Sequence, residues 1–109
     1  MSEQLLARFS DLQLEQILEE AMIYTCACPA QVAEQLLQLR KLFAYQNSCI
    51  SKGSLMADVH RHISHSTLIA HKELEQCLND VMVMEGWDFQ TLTMPDNLRE
   101  LRQKTIDQE

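Results

Sequence analysis

Glycine and proline are scarce, with two of each in 109 residues. So few chain breakers exclude a collagen-like chain and argue against an all-β fold, whose many short strands each need turn residues. No stretch approaches the roughly 18 consecutive apolar residues that cross a bilayer. The opening "MSEQLLARFSDLQ" also lacks the basic start and apolar run of a signal peptide, so a cytoplasmic protein is expected.

Catalytic signatures are missing too. Two isolated glycines cannot build a phosphate-cradling loop, and neither H-E-x-x-H nor paired E-x-x-H occurs. Sixteen acids offer no carboxylate pair that spacing singles out. A Cys–His nucleophile would need a histidine beside Cys28, yet the nearest on the expected facing helix, His71, falls about 9 Å along it. A non-catalytic protein without a small-molecule substrate is expected.

Positive charge is in short supply, nine Lys and Arg against sixteen Asp and Glu, for a net charge of −7. Nonspecific binding to nucleic acid or to an anionic membrane needs a cationic surface, so both are disfavoured. Residues 35–72 are the exception, with five bases and one acid, and they hold all four histidines. Arg40, Lys41, Lys52, Arg61 and Lys72 form a candidate basic patch. The acidic thirds on either side argue against its use on nucleic acid.

What the chain does have is helix-forming residues and helical periodicity. At 46% hydrophobic it is long enough for one domain and one core. Ser10 and Gln13 make a capping box, and Phe9 and Leu14 occupy the two positions of a hydrophobic staple. A helix is therefore predicted from Asp11 through "LQLEQILEEAMIY", burying Leu14, Ile17, Leu18 and Ala21, with a short helical turn over residues 3–9 before it. Pro29 suits the first position of a second helix, whose stripe is Val32, Leu36, Leu39, Phe43 and Ile50. Gly53 ends it, and Ser54 is positioned to cap the next.

From Leu55 to Glu85 neither glycine nor proline intervenes. Met56, Val59, Ile63, Thr67, Ala70, Leu74, Cys77, Val81 and Met84 keep a three-four spacing, which predicts one helix of about 45 Å, weakest at "SHST" over residues 64–67. Gly86 should stop it. "WDFQTLTMP" then crosses the bundle in extended form on Trp87, Phe89, Leu92 and Met94, and an amphipathic helix follows over about residues 94–107. The expected fold is all-α: an antiparallel bundle of three main helices and a short C-terminal helix, one domain over residues 1–109 with its core over about 10–94.

Two further features bear on function. In "TCACPAQ", Cys28 stands before Pro29 at the expected N-cap, where the helix dipole favours a thiolate. A turn at Lys52 and Gly53 would set Cys28 opposite Cys77, with Cys26 nearby. Three thiolates suit zinc, copper(I) or an iron–sulfur cluster only if a fourth ligand joins them. Packing is the plainer role for Cys77 on an apolar stripe. His62 and His65, three apart on one helix, are a secondary metal candidate.

Leu68, Ile69, Met82 and Val83 fall off the main apolar face of the long helix. This surplus is a candidate surface for a protein partner or a second copy of the chain. Two functions are thus carried forward: a small interaction or regulatory protein acting through helix faces, and a thiol-based metal-binding or redox-sensing protein.

Overall fold

A computed structural model describes residues 5–21, 28–53 and 55–95. Cys26, Ser54 and nearly all of the C-terminal helix expected over residues 94–107 lie outside them. Helix α1 spans Asp11–Ala21, α2 Cys28–Ser51 and α3 Ala57–Glu85, so the regular structure among the described residues is all helical, with one isolated bridge between Asp88 and Thr93. None of these helices is long and apolar enough to cross a membrane.

The start of α1 follows the capping-box expectation closely. Gln13 N–H donates to Ser10 Oγ at 3.1 Å, and Ser10 N–H donates to Gln13 Oε1 at 2.8 Å, so two otherwise unpartnered donors are satisfied. Phe9 and Leu14, the staple pair, are both buried, together with Ile17 and Ala21. The segment before the helix is not the expected helical turn. Residues 5–10 run irregularly because Glu75, 67 residues further on, captures the Arg8 amide and redirects the chain.

Helix α2 is the shared element, packing against both α1 and α3. Ala30, Ala33 and Leu36 join Leu14, Ile17, Leu78 and Met82 in one apolar cluster. The helix begins at Cys28, one residue before the expected start at Pro29, and Gly53 follows it in the left-handed region at φ 71°. Residues late in α2 lie beside residues early in α3, as the Gln46–His60 pair illustrates.

Helix α3 is continuous through residues 64–67, because the polar side chains there have internal partners. Thr67 Oγ1 donates back to the Ile63 carbonyl at 2.7 Å, and Ser64 Oγ accepts from Asn47 of α2 at 3.3 Å. Its buried face differs from the expected apolar stripe. The inward residues are Ser64, Thr67, His71, Glu75, Leu78 and Met82, one residue and hence about 100° round from the series Ile63, Ala70, Cys77, Val81. That series is only half-buried, and Met56, Val59 and Met84 are exposed.

The end of α3 is a Schellman motif. Trp87 N–H reaches back to the Met82 carbonyl at 2.9 Å and Gly86 N–H to Val83 at 3.0 Å, with Gly86 at φ 75°. Among the described residues, a Cβ at Gly86 would meet Pro95 Cγ, at an unstrained 3.7 Å. The cost of Gly86→Ala is therefore that of the left-handed backbone, about 1–2 kcal/mol, and a urea titration followed by circular dichroism should read it.

The segment after Gly86 corrects the expected extended crossing. Asp88 N–H bonds the Thr93 carbonyl and Leu92 N–H returns to Asp88 O, so the chain folds into a tight loop with Leu92 at φ 55°. The Asp88 carboxylate drives this by accepting from the Gln90 and Thr91 amides. Trp87, Leu92 and Met94 are buried as expected, while Phe89 is 41% exposed. The loop is tied to α1, where Glu20 accepts from the Met94 amide and Gln16 donates to the Thr91 carbonyl.

Candidate functional site

The densest polar chemistry lies inside the fold, where α2, α3 and the segment before α1 meet. Arg40 projects from the middle of α2 with its side chain 13% exposed, and its guanidinium donates to four acceptors. Nε donates to His71 Nε2 at 3.0 Å. One terminal nitrogen donates to Asp11 at 2.5 Å, and the other to the Phe9 carbonyl at 2.5 Å and to Glu75 at 3.2 Å. Glu75 in turn accepts from the Arg8 amide at 2.8 Å and from Phe9 N–H at 2.9 Å. One carboxylate and one guanidinium thus hold residues 8–11 against two helices.

His71 completes the cluster from one helical turn before Glu75. It is buried, and its Nδ1 lies 3.7 Å from Glu75 Oε1. Arginine has no acceptor, so a bond from Arg40 Nε requires an unprotonated His71 Nε2, which places the ring proton on Nδ1 beside Glu75. Burial pushes the imidazole below its ordinary value of 6.5, Glu75 acts against that shift, and Arg40 adds to it. His71 is thus a core group, whereas His62 and His65 are exposed. The spacing of His71 and Glu75, four apart on one helix, with Arg40 among apolar neighbours on another, is the sequence signal that marks this network.

Of the residues in the expected basic patch, Arg40 is withdrawn from the surface and the other four are exposed. Arg40 is consumed by the network, and Arg61 bridges Asp58 at 3.2 Å on the surface. Lys41 is exposed midway along α2, Lys52 in the turn and Lys72 midway along α3. His62 and His65 are exposed on α3, and among the described residues no group of three or more His, Cys, Asp and Glu side chains is placed to hold a metal ion.

The α2–α3 turn extends to Met56, beyond the expected Lys52 and Gly53, and across the helix pair Arg40 meets His71, Asn47 meets Ser64 and Gln46 meets His60. Cys28 is exposed and is the first residue of the helix rather than its N-cap, and Cys77 is half-buried.

Of the surplus apolar residues, Ile69 and Val83 are exposed, and Leu68 is half-buried beside an open groove of about 910 Å³ shared with Leu6 and Ala7. Met82 is a correction. It is fully covered in the core, because α3 turns that face inward, and it offers nothing to a partner. Further exposed apolar side chains are Leu42 and Tyr45 in the second half of α2, Leu55 and Met56 in the turn, and Val59 early in α3. This is also where the helix pair packs through polar groups, with buried Gln46 held by His60 at 2.6 Å.

Geometry thus defines a helical protein with an internal Arg–His–Glu network and apolar side chains on the outside of its longest helices. Comparison of the chain with protein-family models, curated proteins and solved structures finds no match.

Proposed function

We propose that the chain is a small non-catalytic interaction or regulatory protein whose working surface is the outer face of α2 and α3 near their connecting turn. In this reading the helices form an antiparallel bundle, and residues 94–107 add a short amphipathic helix with Leu98, Leu101 and Ile106 on one side. The observation that carries the reading is the exposure of Leu42 and Tyr45 on α2, Leu55 and Met56 in the turn, and Val59 early in α3. Exposed apolar side chains of this size are what protein interfaces cover.

The seam beneath that surface supports the same reading. Gln46, Asn47, His60 and Ser64 hydrogen-bond to one another across the helix pair, fixing the helices in place with little apolar burial of their own. The apolar side chains are displaced outward, where a second protein or another copy of the chain would cover them.

Tyr45→Asp and Val59→Asp test the proposal, since both side chains are substantially exposed, at 65% and 46%. Each should leave the unfolding midpoint within about 0.5 kcal/mol of the parent. Each should also abolish concentration-dependent self-association measured by light scattering, or crosslinking to a defined partner from a photoreactive group at position 45. A protein that stays monomeric at high concentration and crosslinks to nothing specific through position 45 would defeat the proposal.

A further inference from the structure

We propose that His71 is the proton-sensing element of a latch, and that a proton taken up from solvent on its Nε2 releases Arg40 and frees residues 5–10 from the α2–α3 pair. The inference rests on which atoms face each other. Arg40 Nε–H points at His71 Nε2 from 3.0 Å, and a second N–H on that nitrogen would replace an acceptor with a donor. The bond is then lost and two cations adjoin in a covered site.

The surrounding charges determine the response. From α2 the ring meets Arg40, and from its own helix it meets Glu75, whose Oε1 lies 3.7 Å from Nδ1. From the start of α1, Asp11 lies on the far side of the guanidinium. The segment before α1 contributes the Arg8 and Phe9 amides, both donating to Glu75, and the exposed Lys72 follows His71 in sequence. Among the described residues Glu75 is the acid whose charge acts on the imidazole, while Glu73 and Arg8 line the open groove beside it. Attracting Glu75 to a charged His71 draws the carboxylate away from the two amides, so the second tie on residues 8 and 9 loosens with the first.

The sign follows from the direction of the shift. In the latched state His71 binds a proton less readily than its ordinary value of 6.5 allows, and in the open state it regains that value. The latch is therefore fully closed above about pH 6.5, weakens as pH falls below it, and reaches its limit once pH passes the lower latched-state value.

Hydrogen exchange at the Arg8 and Phe9 amides, corrected for intrinsic rates, tests this on the intact chain between about pH 7.5 and 5. Protection at both should fall by roughly tenfold for each unit by which the fold displaces the histidine, while amides around Leu78 and Met82 keep theirs. His71→Gln places a non-titrating acceptor where Nε2 stood and should hold protection constant across the window. Unchanged protection in the parent, or the parent's pH response persisting in His71→Gln, would overturn the latch. Should that variant not fold, long-range ¹H–¹⁵N spectra of the parent decide the matter. Nε2 must be bare at neutral pH and gain its proton in step with the loss of protection, and a ring carrying its neutral-pH proton on Nε2 refutes the proposal.

Discussion

Replacing Arg40 with methionine is expected to lower the unfolding free energy by about 3–5 kcal/mol. That is a large fraction of the roughly 5–15 kcal/mol that holds a domain of this size together. Methionine fills much of the same volume, so the loss is not one of packing. It comes from Glu75, whose side chain is 6% exposed and is left as a covered carboxylate without its cation, and from the Phe9 carbonyl, which loses its arginine donor. Arg40→Lys should fall between parent and methionine, because one ammonium cannot reach acceptors on three elements as a planar fork does. Adding Glu75→Gln to Arg40→Met should recover part of the loss, since it removes the orphaned charge and keeps an oxygen to accept from the Arg8 and Phe9 amides. Urea unfolding of the parent, the double variant and the three single variants Arg40→Met, Arg40→Lys and Glu75→Gln measures all of this. A methionine variant within 1 kcal/mol of the parent, or a double variant whose loss is as large as the two single losses together, would mean that the network contributes little. The effect should also persist in high salt, because covered charges are poorly screened.

This network explains where sequence reading succeeded and where it stopped. The all-helical class, the capping box at Ser10 and Gln13, the staple of Phe9 and Leu14 and the stop at Gly86 were legible, because each depends on residues within one or two turns of each other. The rotation of α3 was not. An apolar stripe predicts which face turns inward only when the interior is apolar. Here Ser64, Thr67, His71 and Glu75 are buried because partners distant in sequence satisfy three of them, Asn47 for Ser64, Arg40 for His71, and Arg8, Phe9 and Arg40 for Glu75. Nothing within α3 announces those partners. The same distance effect misplaced Arg40 on the surface and Met82 outside the core. The loop after Trp87 was misread for a local reason: the Asp88 side chain competes for backbone amides and closes a turn that the alternating apolar residues alone present as extended.

Leu36→Ala should be nearly as damaging as the loss of Arg40, at about 2–5 kcal/mol, but by a different mechanism. Leu36 is fully buried in the middle of α2, the helix that packs on both α1 and α3, within a cluster that includes Leu14, Ile17, Ala33 and Leu78. Truncation leaves a cavity that small neighbours such as Ala33 and Ala21 cannot fill. Met82 and Met94 are the flexible methionines of the cluster, so the loss falls toward the lower end of the range if either moves into the space. Leu42, about a turn and a half further along the same helix and 40% exposed, provides the control, and Leu42→Ala should stay within about 0.5 kcal/mol of the parent. Because α2 is common to both helix interfaces, the Leu36 variant should still unfold in a single transition with an unchanged urea slope, only at lower denaturant. Equal losses from Leu36→Ala and Leu42→Ala would place the core elsewhere. A second transition in the Leu36 variant would show that α1 and α3 hold to α2 independently, and Arg40, which reaches both Asp11 of α1 and Glu75 of α3, would then not be coupling them.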